Sequence, residues 1–407
     1  MPNQMGRLPL ESVTVLDLSR VLSGPYCTMM LGDMGARVWK VEPPTGDDSR
    51  GLAPPYIAGE SSYYLSVNRN KLDICLDITR KEGLEIILRM ADRADVFLEN
   101  FRPDLKERLG ISYQVISKRN PRLIYASISA FGQDGPYREL PGLDNIFQGM
   151  AGMMQITGRE EDPPLKVGER IADIITGMQA AYGIMVALYN RFETGKGQYL
   201  DLSLVDSLIS VQAPMIYYYF ATGKQPPKRG NGSLFSAPTD MFETADRPIN
   251  LCIFIDKHWA KLCEVLGLES LVQDPRFQSN PLRAQNYRAI NEIIGRVLKG
   301  KTASYWMERM RKAGIPCGYV YDYEEVFRDP QVLHNKMLEE IPHPTLGSQK
   351  MIGIPIRLRE NPGEIRLPAP LQGQHSREIL QELGYPEREI DSLIRQKVVI
   401  EADLPRK

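Results

Sequence analysis

From Val13 to Leu204 the chain repeats one figure, a short apolar run followed by a stretch with helical spacing. Val13–Leu18 is such a run. Ser23-Gly24-Pro25 punctuates it, a Met-rich helical stretch continues to Met34, Gly35 ends that helix, and Arg37–Val41 is the next strand. The figure recurs with strands at Asp73–Ile78, Asp95–Leu98 and Leu123–Ser127, and with Leu84, Ile87, Leu88 and Ala91 on one face of a helix. A long helix, Ile171–Phe192, closes on Thr194-Gly195-Lys196-Gly197 before a strand at Tyr199–Leu204. Strands alternating with helices predict βαβ units, hence an α/β fold around a mostly parallel sheet. In such a sheet, ligands sit outside the carboxyl ends of the strands.

The texture changes after residue 222. Gly223–Pro238 is rich in Gly, Pro and Ser, and Asp240–Glu243 with Pro248–Ile255 reads as a hairpin turning at Thr244-Ala245-Asp246-Arg247. Helical patterns cover Lys257–Lys312, a proline-dense extended tract runs from Pro342 to Pro370, and short helices fall near Ser376–Leu383 and Pro386–Arg395. A chain of 407 residues is expected to hold two or three domains. The expected division is a large α/β domain over 1–222, a linker or active-site loop over 223–238 and a smaller α+β domain over 239–330. A return linker follows over 331–370, and C-terminal helices over 371–407 pack back on the large domain.

Charge and side-chain inventory narrow the function. Lys and Arg total 50 against 51 Asp and Glu, so a basic arm for nucleic acid is not expected, while a local pocket for a phosphorylated small molecule stays open. The apolar stretch Ile174–Tyr189 contains Thr176 and Gln179, falls short of a membrane span of ~20 residues and reads as a buried helix. Residues 1–10 lack an apolar signal core, so no targeting segment is expected. The five cysteines show no C-x-x-C pair and the four histidines are scattered, which argues against disulfides or a metal and for a reducing cytoplasmic setting. G-x-S-x-G, the P-loop and G-x-G-x-x-G after the first strand are all missing.

What remains is carboxylates and loops at strand ends. The first strand runs into Ser19-Arg20-Val21-Leu22-Ser23-Gly24-Pro25, where Pro25 opens a helix whose free N–H groups suit a phosphate. The strand at Asp95–Leu98 runs into Glu99-Asn100-Phe101-Arg102-Pro103, with Arg108 beyond. Arg102 and Arg108 there suit phosphate and Phe101 a base, unless the segment is a solvated loop. Asp173 begins an otherwise apolar helix, where the dipole favours an ionised carboxylate ready to attack; a plain N-terminal cap is the other reading.

Several motifs together resemble family III CoA-transferases. They are Leu16-Asp17-Leu18 with Ser23-Gly24-Pro25, Leu31-Gly32-Asp33-Met34-Gly35-Ala36, Val38-Trp39-Lys40-Val41-Glu42-Pro43 and Ser66-Val67-Asn68-Arg69-Asn70-Lys71. Asp95–Pro103, Ser129–Pro136, Asp173, Glu193–Gln198, Gly314–Gly318 and Leu371–His375 follow in order. The resemblance implies a doubly wound, Rossmann-like large domain with a smaller α+β domain, in an interlocked homodimer. It implies Asp173 as nucleophile, Val21, Leu22, Ser23, Leu76, Asp77, Asn100, Phe101, Arg102 and Arg108 as CoA contacts, and Gly230 and Gly232 as oxyanion-loop residues. Asp144 and Gln148, a helical turn apart, are expected to line the site, or else form an ordinary polar helix edge. The substrates implied are acyl-CoA, with succinyl-CoA favoured, and a small, dicarboxylic acid. CoA thioesters then serve as substrates, with no permanently bound cofactor and no metal. A dicarboxylate needs a cation at its far end, and Arg69 is the candidate, unless it belongs to the CoA side, as Lys71 can, or to a plain turn. An α-methylacyl-CoA racemase on the same fold is the rival reading. It wants a histidine where Leu143 stands, and leucine carries no proton. A non-catalytic CoA-binding protein is a third.

Overall fold

The structure, a computed structural model, describes residues 8–403. Residues 1–7, most of the stretch read for a targeting segment, and residues 404–407 lie outside it. The described chain forms two compact units. The first takes residues up to 151 with 168–212 and 330 onward, and the second takes 152–167 with 213–329.

The first unit runs β1 (Thr14–Asp17), α1 (Ser23–Asp33), β2 (Arg37–Glu42), α2 (Ser62–Val67), β3 (Lys71–Leu76), α3 (Lys81–Arg93), β4 (Val96–Glu99), β5 (Ile124–Ser129), α4 (Asp144–Met150), α5 (Ile171–Thr194) and β6 (Tyr199–Ser203). The chain then builds the second unit from β7 (Thr239–Phe242), β8 (Ile249–Cys252), α6 (Asp256–Leu266), α7 (Tyr287–Leu298), α8 (Ala303–Lys312) and β9 (Cys317–Tyr319). It returns through a hairpin of β10 (Leu338–His343) and β11 (Gly347–Ile352), then α9 (Ser376–Glu382), α10 (Glu387–Arg395) and β12 (Val399–Ile400).

Seven strands form the sheet of the first unit in the order β12-β3-β2-β1-β4-β5-β6. Every pairing is parallel except β12 with β3. Alternation along the strands separates two faces. Leu16, Trp39, Ile74, Leu76, Phe97 and Tyr125 enter one apolar core with Ile86, Ile87 and Met90 of α3 and with Ile379, Leu380, Ile390 and Leu393 of α9 and α10. The alternate positions Asp17, Lys40 and Asp73 are also buried, as is Lys71. Lys71 Nζ donates to Asp17 at 3.2 Å and to the Pro25 carbonyl of α1 at 2.9 Å, so a paired ionic layer lies where α1 packs. The second unit packs Trp259, Leu262, Phe277, Ile290, Ile294, Trp306 and Met310 under an antiparallel sheet ordered β9-β8-β7.

Four expectations need correction. The segment 152–167 and the helix Ala213–Thr222 group with the second unit rather than with the large domain. Gly230 N–H donates to the Gly158 carbonyl at 2.8 Å, and Lys228 Nζ to the carbonyls of Asp162 and Pro163. The tract 331–370 is not merely extended linker, since it carries the β10–β11 hairpin within the first unit. The strand expected at Asp73–Ile78 starts at Lys71, a shift of two residues that leaves the same side chains on the same face.

Helix α5 is not buried all round. Ala172, Thr176, Gly177, Ala180, Ala181, Ile184 and Ala187 face the interior, while Tyr182, Tyr189 and Phe192 are 72–84% exposed. At 24 residues it also exceeds the expected stretch, and among the described residues it alone is long and apolar enough to cross a membrane by length and composition. Its small-residue face is explained by close packing. A Cβ on Gly177 would stand 2.5 Å from the Ser23 carbonyl of α1, so only glycine lets the two helices approach this far.

Candidate active site

The N-terminus of α5 gathers the acidic groups. Asp173 lies in its first turn. Asp144, at the start of α4 and 7% exposed, accepts from the Ala172 N–H with Oδ1 at 2.8 Å and from Gln148 Nε2 with Oδ2 at 2.7 Å. Gln148 Nε2 also donates to the Glu169 carbonyl at 3.2 Å. One carboxylate therefore ties α4 to the helix that carries the other. Ser23, opening α1, neighbours the Asp173 carboxylate. Arg170 lies over the Tyr63 ring at 4.8 Å, and the Tyr63 hydroxyl is buried with no protein partner.

Burial and the Asp144 charge push the Asp173 carboxyl up to about 6, with Arg170 and the neighbouring Ser23 hydroxyl pulling the other way. The helix dipole argument alone expected the opposite direction; desolvation and a like charge outweigh it. The group is still largely ionised at neutral pH, and its raised basicity makes it a better nucleophile than an ordinary aspartate. The Tyr63 phenol is pushed up to about 12 by burial, Arg170 opposing and the carboxylates of Asp173, Glu169 and Asp144 adding to the rise, so it stays a protonated donor.

Residues 10–376 match the model of CoA-transferase family III. The chain belongs to that family. It is 36% identical over 393 residues to succinyl-CoA:glutarate CoA-transferase of Homo sapiens, covering 96% of this chain and 90% of that one. It is 38% identical over 367 residues to acetyl-CoA:oxalate CoA-transferase of Acetobacter aceti, covering 88% and 93%. Its structure superposes on a crystal structure of a CAIB/BAIF family protein from Brucella suis with a TM-score of 0.83 at 34% identity, covering 93% of this chain and all of that one.

Within this CoA-transferase the expected site residues separate. Asp173, Asp144, Gln148 and Ser23 come together, and Tyr63 and Arg170 join them. Neither of those two was singled out from sequence, although Tyr63 stands three residues before the motif Ser66–Lys71 and Arg170 three residues before Asp173. Val21 and Leu22 lie in the β1–α1 loop, and Asn100 hydrogen-bonds that loop through Arg20. Arg102 and Arg108 remain surface side chains, 66% and 70% exposed, loosely paired with Asp104.

Other candidate residues are engaged within the protein. Phe101 is buried in the apolar core, with the Arg20 guanidinium 5.6 Å from its ring, so it does not offer a free face to a base. Leu76 is fully buried and paired with Val399 of β12. Asp77 is covered on its main chain by the Val398 carbonyl and turns its carboxylate to Thr79. Arg69 grips both Asp33 oxygens, at 2.9 and 2.7 Å, and also donates to the Ile352 carbonyl, which leaves no fork for a substrate. Lys71 is fully buried on Asp17, Asn68 and the Pro25 carbonyl, away from any exposed phosphate. The N–H groups of Gly230 and Gly232 donate to the carbonyls of Gly158 and Arg229, at 2.8 and 2.9 Å, and so are not free for an oxyanion. Leu143, where a racemase would want a base, is 75% exposed.

Proposed function

We propose that this enzyme moves CoA from an acyl-CoA, with succinyl-CoA as donor, to a small dicarboxylic acid, using Asp173 as nucleophile. The observation that carries the reading is the Asp173 carboxyl in the first turn of α5, set beside the Asp144 carboxylate that accepts from the Ala172 N–H, and raised to about 6 by burial and that charge. The Asp173 carboxylate attacks the donor thioester carbonyl, forming a mixed anhydride and releasing CoA thiolate. The thiolate attacks the aspartyl carbonyl, which expels the donor acid and leaves an aspartyl-CoA thioester. The acceptor carboxylate then attacks that thioester to give a second anhydride and thiolate. Thiolate attack on the acceptor carbonyl yields the new acyl-CoA and restores Asp173. Each step exchanges one anion for another, so no water, metal or redox partner enters, and the thioester's free energy is conserved in covalent form.

The protonated Tyr63 hydroxyl, buried without a partner, is suited to donate to an oxygen that gains charge in these steps. Dicarboxylates fit the substrates named for the human and Acetobacter relatives. The similarity to acetyl-CoA:oxalate CoA-transferase puts oxalate in the test. The exposed apolar face of α5 supports a homodimer. The proposed setting is cytoplasmic. Succinyl-CoA offered with a panel of carboxylates, oxalate and glutarate included, should give new CoA thioesters by mass spectrometry. Formation of free CoA alone, or none at all, would contradict the reading.

A further inference from the structure

The β1–α1 loop is held from outside itself. Asp17 Oδ1 accepts from the Ser19 N–H at 2.9 Å, and Lys40 Nζ donates to the Ser19 carbonyl at 3.2 Å. Asn100 brackets Arg20, its Oδ1 accepting from the Arg20 N–H at 2.9 Å and its Nδ2 donating to the Arg20 carbonyl at 2.8 Å. Asp47 Oδ1 accepts from the Val21 N–H at 3.1 Å. Four side chains thus hold five main-chain groups of three consecutive residues. Val21 has a φ of +70°, where a β-branched residue is a true outlier, and such a conformation persists only when its surroundings impose it.

The location is chemically telling. The strand order reverses between β1 and β4, and Asn100 directly follows β4. The crevice at such a reversal is where open α/β sheets receive ligands. Past Val21 the loop folds on itself, since a Cβ on Gly24 would stand 2.2 Å from that of Ser19, and it leads directly into Ser23 at the start of α1. Burial opposes the charge on Asp47, but the Lys40 ammonium and hydrogen bonds from Lys40 and Ser49 hold its carboxyl well below the ordinary range, so it remains an ionised acceptor.

We propose that Asn100 and Asp47 are positioning residues for the transfer reaction, fixing Arg20 and Val21 in the backbone shape that presents the β1–α1 loop to the CoA thioester. Neither touches the reacting atoms. The proposal rests on the reading of this loop as a CoA contact.

Asn100→Ala is the primary variant, because Asp47→Ala would strand the buried Lys40 charge and endanger folding. Binding of free CoA to folded, full-length protein is measured by calorimetry alongside transfer kinetics. Asn100→Ala should weaken CoA binding tenfold or more and raise the succinyl-CoA KM, with kcat at saturation falling less than threefold. Val21→Gly removes the left-handed strain at the same place. Combined with Asn100→Ala, it should lose clearly less than the product of the two single losses, because both changes act on one backbone conformation. CoA affinity within twofold of wild type in Asn100→Ala, or multiplicative losses in the double variant, would overturn the proposal. Wild type that binds no CoA would overturn the CoA reading itself, and the proposal with it.

Discussion

At Asp173, an anion has been made basic without being neutralised. Because its carboxyl titrates near 6, the transfer rate should fall on the acid side with an apparent midpoint near that pH. Asp144→Asn removes the like charge that raises it, so the acid limb of kcat against pH should move to lower pH. An unmoved limb would mean that Asp144 is not felt at Asp173. The same shift bears on stability. The folded value lies above the ordinary 3.8, so the ionised group costs the fold nothing below that pH, and the cost grows until about 6. Asp173→Asn should therefore stabilise the protein by on the order of 1–3 kcal/mol at pH 7–8, with the gain vanishing near pH 4. Urea unfolding across that pH range reads it. Asp144 and Gln148 could be paired from sequence because they lie one helical turn apart, whereas Asp173 stood out through the family resemblance and not through its local sequence. The fate of Arg69 was not legible, since its partner Asp33 lies far off in sequence and only the packed fold brings the two together.

Strand positions in the first half followed from short apolar runs, and the parallel sheet from the helices between them. The C-terminal strand β12 escaped notice because two residues carry no periodicity, and its pairing with β3 is what encloses Leu76. The burial of α5 was misjudged for a related reason. An all-apolar helix reads as buried on every side, whereas here the small residues face inward and the large ones outward. Gly177→Ala tests that packing. Its methyl would meet the Ser23 carbonyl at 2.5 Å, so α1 and α5 must part, at about 1–3 kcal/mol by the usual cost of overpacking. A lowered thermal midpoint and a transfer rate reduced tenfold or more are expected, because Ser23 and Asp173 separate with the helices. An unchanged midpoint and rate would show that the contact is not tight.

Met178, Tyr182, Met185, Val186, Tyr189 and Phe192 are exposed along one helix, an apolar strip of the kind that marks an interaction surface. Light scattering after size exclusion should give twice the 46.1 kDa chain mass, and Tyr182→Asp should shift the population toward the single chain. The domain scheme was read less well than the fold class. Residues 152–167 have little pattern of their own, and their allegiance is set by contacts to the loop around Gly230 that local spacing cannot reveal. The proposed function comes down to one covalent event. Wild-type protein incubated with succinyl-CoA and hydroxylamine, then digested and analysed by mass spectrometry, should carry a hydroxamate at Asp173, and Asp173→Ala should carry none and transfer no CoA. Undiminished transfer by the alanine variant, or a hydroxamate on another carboxylate, would contradict Asp173 as the nucleophile.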